Sequence, residues 1–120
     1  MKPQRRGRID HEIQRVLAKI IAEDVKDPRL GFVTVTRCEI AADMKQCKVY
    51  ISVIGDRHVA RQSMDALDSG RRFIRGELGK EIDLRHTPEL IFIEDRSTER
   101  AIELSRTLDA VAARAAEANE

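Results

Sequence analysis

Apolar residues recur every three or four positions near the start of the chain, and this spacing predicts an amphipathic helix. The predicted helix begins at Ile9, and its apolar face consists of Ile9, Ile13, Val16, Leu17, Ile20, Ile21 and Val25. It is predicted to end before Pro28, because a residue that precedes proline is pushed out of helical geometry. Residues 1–8 are rich in arginine and contain Pro3 and Gly7, so a flexible basic arm is expected there.

The next two segments are predicted to form an antiparallel hairpin. Residues 32–40 are rich in β-branched side chains, and residues 45–54 alternate strictly between apolar and polar. In the second strand, one face consists of Cys47, Val49, Ile51 and Val53, and the other of Lys48, Tyr50 and Ser52. Because only one face is apolar, we expect helices to cover that face alone.

Residues 59–90 return to helical spacing, with one interruption near Ser69 and Gly70 that predicts two helices meeting at a break. Pro88 separates this stretch from a short apolar strand at 90–93, and Asp95 or Ser97 can cap a last helix. The apolar side of that helix would consist of Ile102, Leu104, Leu108, Val111, Ala112 and Ala115. The order α-β-β-α-α-β plus a terminal helix predicts an α+β fold with helices on one face of a three-stranded sheet.

Composition describes one heavily charged domain, with 120 residues, 42% hydrophobic and 36% charged. An aromatic content of 3% argues against binding single strands by base stacking, which needs aromatic platforms. The net charge is only +1, yet the basic residues concentrate in the first fifty positions and the acidic ones after residue 93. This asymmetry favours one face that meets a polyanion.

The sequence contains no motif that predicts catalysis, a metal site or a cofactor. His11, His58 and His86 lie far apart, and Cys38 and Cys47 fit no ligand spacing. We interpret the two cysteines as reduced residues that fill the core. Because no catalytic motif is present, we expect a protein that is not an enzyme. The chain starts without a hydrophobic leader, and no apolar run approaches membrane-spanning length, so a soluble cytoplasmic protein is expected.

Two groups of basic residues are candidates for phosphate contacts. One is the N-terminal arm, and the other follows the break, where a helix N-terminus offers free N–H groups and partial positive charge. Arg71 and Arg75 would share one side of the second helix, and Arg72 would point elsewhere, towards a nearby acidic residue. The alternative is a bent, solvated helix whose arginines only keep the chain soluble.

Several separated blocks of the sequence resemble the signature of the bacterial ribosome-binding factor A family. The first is KDPRLGFVTVTRCEIAADMKQCKVYISVIG, and the later ones are Phe73-Ile74-Arg75, Leu84-Arg85, Thr87-Pro88-Glu89-Leu90 and Phe92 with Asp95 and Ser97. The similarity runs from about residue 9 to residue 108. It implies a type II KH-like fold, with the helix-kink-helix of this family in place of the glycine-rich phosphate loop of true KH domains.

Two glycine positions bear on this resemblance. The family usually has Ala-x-Gly before the Phe-Ile-Arg block, whereas this chain has Gly70-Arg71-Arg72. Residues 76–79, GELG, match the literal G-x-x-G of KH domains. A KH loop binds backbone phosphates, and Glu77 would place a repelling negative charge inside it. We therefore expect these glycines to have another role: Gly79 ends a helix, and Gly76 is tolerated inside it.

The resemblance implies a cytoplasmic, monomeric assembly factor that binds the small (30S) ribosomal subunit and its rRNA precursor, without a cofactor, and assists late maturation and processing of 16S rRNA. It also implies a role in cold adaptation and contacts with other assembly factors. The residues expected to contact RNA are Lys2, Arg5, Arg6, Arg8, Gly70, Arg71, Arg72, Arg75, Lys80 and Arg85. Residues 9–108 are the expected KH-like domain, between the basic arm at 1–8 and a helical tail at 109–120. The alternatives are a generic KH-like RNA-binding module and a protein-interaction domain that acts through the C-terminal helix.

Overall fold

The computed structural model describes residues 3–118, except the side chains of residues 3–5 and 98. Its elements are α1 (Pro3–Glu23), β1 (Phe32–Ile40), β2 (Gln46–Ile54), α2 (Arg57–Ser69), α3 (Arg71–Glu81), β3 (Glu89–Glu94) and α4 (Ser97–Ala118). The predicted α+β, KH-like order α-β-β-α-α-β with an extra terminal helix is confirmed.

The first helix begins six residues earlier than the apolar pattern indicates. Proline is favoured at the first helical position, because its fixed φ suits a helix and its missing N–H would have no partner there. Pro3 occupies that position, so the prediction that the helix begins at Ile9 is wrong. The arginines of the predicted arm consequently lie in the first two turns of α1.

The sheet has the order β1-β2-β3, with β1 antiparallel and β3 parallel to the central strand β2. The β1–β2 register shifts between Val35 and Arg37, so Thr36 has no partner across the hairpin. Gln14 of α1 donates its side-chain amide to the carbonyl oxygens of Val35 at 3.0 Å and Thr36 at 3.2 Å. Gln14 therefore satisfies backbone carbonyls of β1 at the point where the hairpin register shifts.

The hydrophobic core lies on one face of the sheet, as the alternation in β2 predicts. Val49 and Ile51 are fully buried and Val53 is 8% exposed, whereas Lys48 is exposed. The largest side chains that the helices add to this core are Ile13, Leu17, Leu67, Ile74 and Leu78. On the other face, the Arg37 guanidinium stacks on the Tyr50 ring at 4.0 Å from its centroid.

Both cysteines are buried free thiols inside the core, which confirms their predicted position as core residues. A hydrogen bond with Cys47, together with burial, raises the pKa of the Cys38 thiol. Because the thiolate is the reactive form, Cys38 is a poor nucleophile.

The last helix lies outside the helical layer that covers the sheet. The Asp95 carboxylate accepts a hydrogen bond from the Ser97 backbone N–H at 2.9 Å, which confirms Asp95 as a cap. Residues 100–118 are all exposed, including the predicted apolar residues Leu104, Leu108 and Val111. The expected boundary between residues 108 and 109 falls inside this continuous helix. None of the helices in residues 3–118 has the length and apolar character needed to cross a membrane.

Candidate nucleic-acid interface

The predicted break between the two middle helices is present at Gly70, which ends α2 and precedes α3. Gly70 has φ −91° and ψ 6°, and its N–H still donates to the Ala66 carbonyl at 3.0 Å. A Cβ at this position would lie 3.5 Å from that same oxygen, an ordinary contact. A residue with a side chain could therefore adopt the backbone conformation of Gly70.

The segment before β1 holds the break in place through Arg29. The Arg29 guanidinium donates to both oxygens of Asp27, at 3.1 and 2.8 Å, and to the Ser69 hydroxyl at 3.1 Å. These bonds hold the pKa of the Asp27 carboxyl below its ordinary value and raise the pKa of Arg29. Arg29 therefore positions the end of α2 by linking Ser69 to Asp27.

A second bond anchors the same segment further along α2. The Gly31 N–H donates to the Ser63 hydroxyl at 3.0 Å, and Ser63 is fully buried. Buried hydroxyls without a partner cost free energy, so this bond satisfies the one buried polar side chain of α2. Together with Arg29, it fixes the approach of α2 to the start of β1.

Arg71 and Arg75, which share a side of α3 by their spacing, have different partners. Arg71 pairs with Asp68 at 3.3 Å, and both side chains are about half exposed. Arg75 donates to the Thr87 carbonyl at 2.6 Å and to the Pro88 carbonyl at 3.2 Å. Arg75 thus attaches α3 to the segment that leads into β3, which is a structural role that its position after the break does not reveal.

The third arginine of this group, Arg72, is exposed and forms no ion pair within residues 6–97. The predicted acidic partner of Arg72 is not paired with it among these residues, and the nearby Asp68 pairs with Arg71 instead. A concavity of about 440 Å³ opens beside the break and is lined by Asp68, Ser69, Arg71, Arg72, Arg75, Glu89 and Leu90. Its charge is mixed, but arginines outnumber carboxylates.

The other two predicted RNA contacts in this part of the chain, Lys80 and Arg85, differ in whether a carboxylate pairs with their charge. Lys80 pairs with Glu77 at 3.0 Å, on an exposed turn of α3. Arg85 is exposed in the α3–β3 connection and has no ion pair among the described side chains. Of the two, Arg85 is the one whose charge is available to a partner.

Two further residues join this surface without any signal in the sequence. Lys45 and His86 line a concavity of about 600 Å³ that also includes Arg75. The parallel pairing of β2 with β3 brings them together, and the Glu89 N–H donates to the Lys45 carbonyl at 2.9 Å. Positions 45 and 86 are too far apart in the chain for spacing alone to connect them.

The basic N-terminal residues approach the same end of the sheet. The Asp10 carboxylate of α1 accepts a hydrogen bond from the Ile40 N–H at 2.8 Å, and Ile40 pairs with Cys47 at the start of β2. Arg8, two residues before Asp10 in α1, is exposed, and Arg6 is partly buried. Lys2 and the side chain of Arg5 lie outside the described residues, so their predicted contacts stay predictions.

Comparison with known proteins gives a consistent result across the chain. The sequence model of "Ribosome-binding factor A" matches residues 5–108. The chain is 41% identical over 111 residues to ribosome-binding factor A of Desulfitobacterium hafniense. The aligned region covers 92% of this chain and 89% of that protein. The solution structure of a Thermotoga maritima protein described as a putative ribosome-binding factor A superposes with a TM-score of 0.71 at 31% identity, over 81% of this chain and 93% of that one.

A third neighbour comes from a larger assembly. It is a homology model of the Thermus thermophilus ribosome-binding factor A, fitted into a cryo-EM map of a complex between the 30S subunit and that protein. The superposition has a TM-score of 0.61 at 26% identity, and it covers 72% of this chain and 91% of that one.

Proposed function

Because this chain belongs to the ribosome-binding factor A family, we propose that it binds the small ribosomal subunit and assists late maturation and processing of the 16S rRNA. The fitted position of the Thermus thermophilus relative in a 30S complex supports this proposal. The protein acts as a non-catalytic assembly factor in the cytoplasm, as a monomer, and contributes to growth in the cold.

The observation that carries the site is the convergence of arginines from α3 and from the α3–β3 connection. Arg71, Arg72 and Arg75 come from one helix, and Arg85 reaches the same region from the following segment. Arginine guanidinium groups bind phosphate through planar, bidentate hydrogen bonds. The convergence therefore forms a surface suited to an RNA backbone.

The mechanism follows from the shape and charge of this surface. RNA helices present phosphates and 2′-hydroxyls rather than readable base edges, so proteins recognise them mostly by shape and backbone contacts. The anchored break and the bond from Arg75 to Thr87 hold the cationic side chains on rigid elements. Docking then stabilises one rRNA conformation until maturation partners act.

A second candidate function is protein interaction through α4. Leu104, Leu108 and Val111 are 60%, 59% and 56% exposed and follow a spacing of four and three residues. Such a spacing places them on one stripe of the helix, which suits packing against another helix. Under this second function, the exposed apolar stripe of α4 contacts other assembly factors.

The test compares two double variants that change charge equally. Arg72→Gln/Arg85→Gln removes two cations without ion pairs from the proposed surface, and Arg100→Gln/Arg106→Gln removes two exposed cations from α4. Co-sedimentation with small subunits is measured across a salt series. Each lost phosphate contact lowers the salt slope by roughly 0.7 to 1 unit, so the first variant is expected to bind more weakly with a slope lower by about 1.4 to 2.

The control variant is expected to bind like the parent. Identical binding by both variants would move the RNA contact away from α3, and the basic end of α1 would be the next candidate. A parent protein that binds free RNA and small subunits equally would favour the generic RNA-binding module instead.

A further inference from the structure

The two glycines of α3 have different structural reasons for being glycine. A Cβ at Gly79 would lie 2.7 Å from the Thr87 hydroxyl, so the close approach of the α3–β3 connection explains that residue. A Cβ at Gly76 would meet nothing within 4 Å. Gly76 lies inside a helix, where glycine is less favourable than alanine, and no packing contact of the described chain requires it.

The prediction that Gly76 lies inside a helix is confirmed, whereas the prediction for Gly79 is wrong. Gly79 does not end a helix, because α3 continues to Glu81. Glu77, the acidic residue expected to repel phosphate, is partly buried and pairs with Lys80 at 3.0 Å. Glu77 does not line the concavity that the two glycines face, and the charge of Lys80 compensates its negative charge.

That concavity is an open groove of about 570 Å³ along one side of α3. It is lined by Arg72, Arg75, Gly76, Gly79, Arg85, His86 and Thr87. Arg72, Gly76 and Gly79 follow one another at spacings of four and three, so they form one row along the helix. Two members of the row have no side chain, which leaves the α3 backbone as the floor of the groove.

The walls of this groove, which we call the Gly76 groove, are positively charged. Arg75 is held by the carbonyl oxygens of Thr87 and Pro88 and closes the groove against the α3–β3 connection. Arg72 and Arg85 have no ion pair among the described side chains, and no carboxylate lines the groove. Two available guanidinium groups thus stand beside a bare stretch of helix.

We infer that the Gly76 groove holds a sugar-phosphate segment of rRNA that crosses α3 over Gly76, with its phosphates bound by Arg72 and Arg85. Glycine permits a backbone or ligand to approach more closely than any other residue does. Arginine supplies paired donors for phosphate oxygens. This inference rests on the proposed function and adds to it the position and the chemical class of the contact.

The test fills the groove without changing charge. Gly76→Gln in the full chain is compared with Ala113→Gln, because Ala113 is also an exposed small residue inside a helix and lies in α4, outside both groups of predicted RNA contacts. Binding to purified small subunits is measured at one salt concentration, and thermal unfolding is followed by circular dichroism. Gly76→Gln is expected to weaken binding about tenfold, the usual effect of losing one charged hydrogen bond, while its melting temperature stays equal or rises.

A footprint identifies what the groove contacts. Hydroxyl-radical cleavage of the 16S rRNA is compared for parent and Gly76→Gln, both at saturating concentration. The variant is expected to lose protection of a short run of riboses that the parent and Ala113→Gln protect. Equal protection by Gly76→Gln and the parent would overturn the RNA-backbone assignment.

The remaining outcomes separate this inference from the proposed function. If the parent binds small subunits and Gly76→Gln binds equally well, only the groove assignment fails. Equal weakening by Ala113→Gln and Gly76→Gln would also overturn it, because added bulk on a helix outside the groove would then have the same effect. A parent that does not bind small subunits refutes the proposed function itself.

Discussion

The burial of β2 allows a matched test of the core with one substitution made on each face of the strand. Ile51 is fully buried in the central strand, whereas Ile54, three residues later, is 72% exposed. Ile51→Ala and Ile54→Ala remove the same atoms from the same strand. Any difference in the free energy of unfolding therefore reports burial rather than the intrinsic preference of the two residue types for strands.

The expected magnitudes follow from the buried carbon groups. Replacing isoleucine with alanine removes three carbons, worth about 0.8 kcal/mol each when buried, so Ile51→Ala loses about 2.4 kcal/mol of transfer free energy. The cavity adds to this loss, and a total of about 3–4 kcal/mol is expected. Ile54 is 28% buried, so the same substitution there is expected to cost about 0.7 kcal/mol.

Urea unfolding followed by circular dichroism measures both values, with the slope of each transition checked for two-state behaviour. The melting temperature of Ile51→Ala should also fall by about 12–16 °C, since each kcal/mol corresponds to about 4 °C in a domain of this size. If the two variants differ by less than about 1 kcal/mol, the assignment of strand faces and the single core on the helical side are refuted.

Two further predictions concern the ends of helices. Gly70→Ala is expected to change the free energy of unfolding by less than about 1 kcal/mol, because φ is negative there and the new Cβ would lie 3.5 Å from the Ala66 carbonyl; a loss above about 2 kcal/mol in urea unfolding would contradict this. Hydrogen bonds from Ser97 and Thr36 lower the pKa of Asp95, so its contribution to stability is complete above the unfolded value of about 3.9 and is lost as the pH falls through the lower folded value. The urea midpoint of Asp95→Asn should therefore fall less between pH 6 and pH 2 than that of the parent, and parallel curves would remove Asp95 from the explanation.

The sequence could predict those features of the fold that depend on neighbouring residues. The bounds of β1, the alternation of β2 and the interruption after Ser69 all come from local periodicity, and the structure has each of them. The start of α1 was missed because the predicted start relied on apolar spacing, whereas proline at a first helical position needs none. Apolar spacing likewise could not show that α4 lies outside the core, because an amphipathic helix has the same pattern whether or not something covers it.

The sequence could predict which basic residues belong to the candidate site, but not which partners each of them contacts. The sequence identified the arginines after the break, since helix-terminal cations and a broken helical pattern are local features. Only the tertiary structure decided that Arg29 reaches Ser69, forty residues away, and that Arg75 binds the Thr87 carbonyl while Arg72 and Arg85 keep their charge available. A flexible guanidinium bonds to whichever carbonyl or carboxylate the fold brings near, and those groups come from strands and connections that are distant in the chain. The same reason applies to Lys45 and His86, which meet only because β3 pairs in parallel with β2.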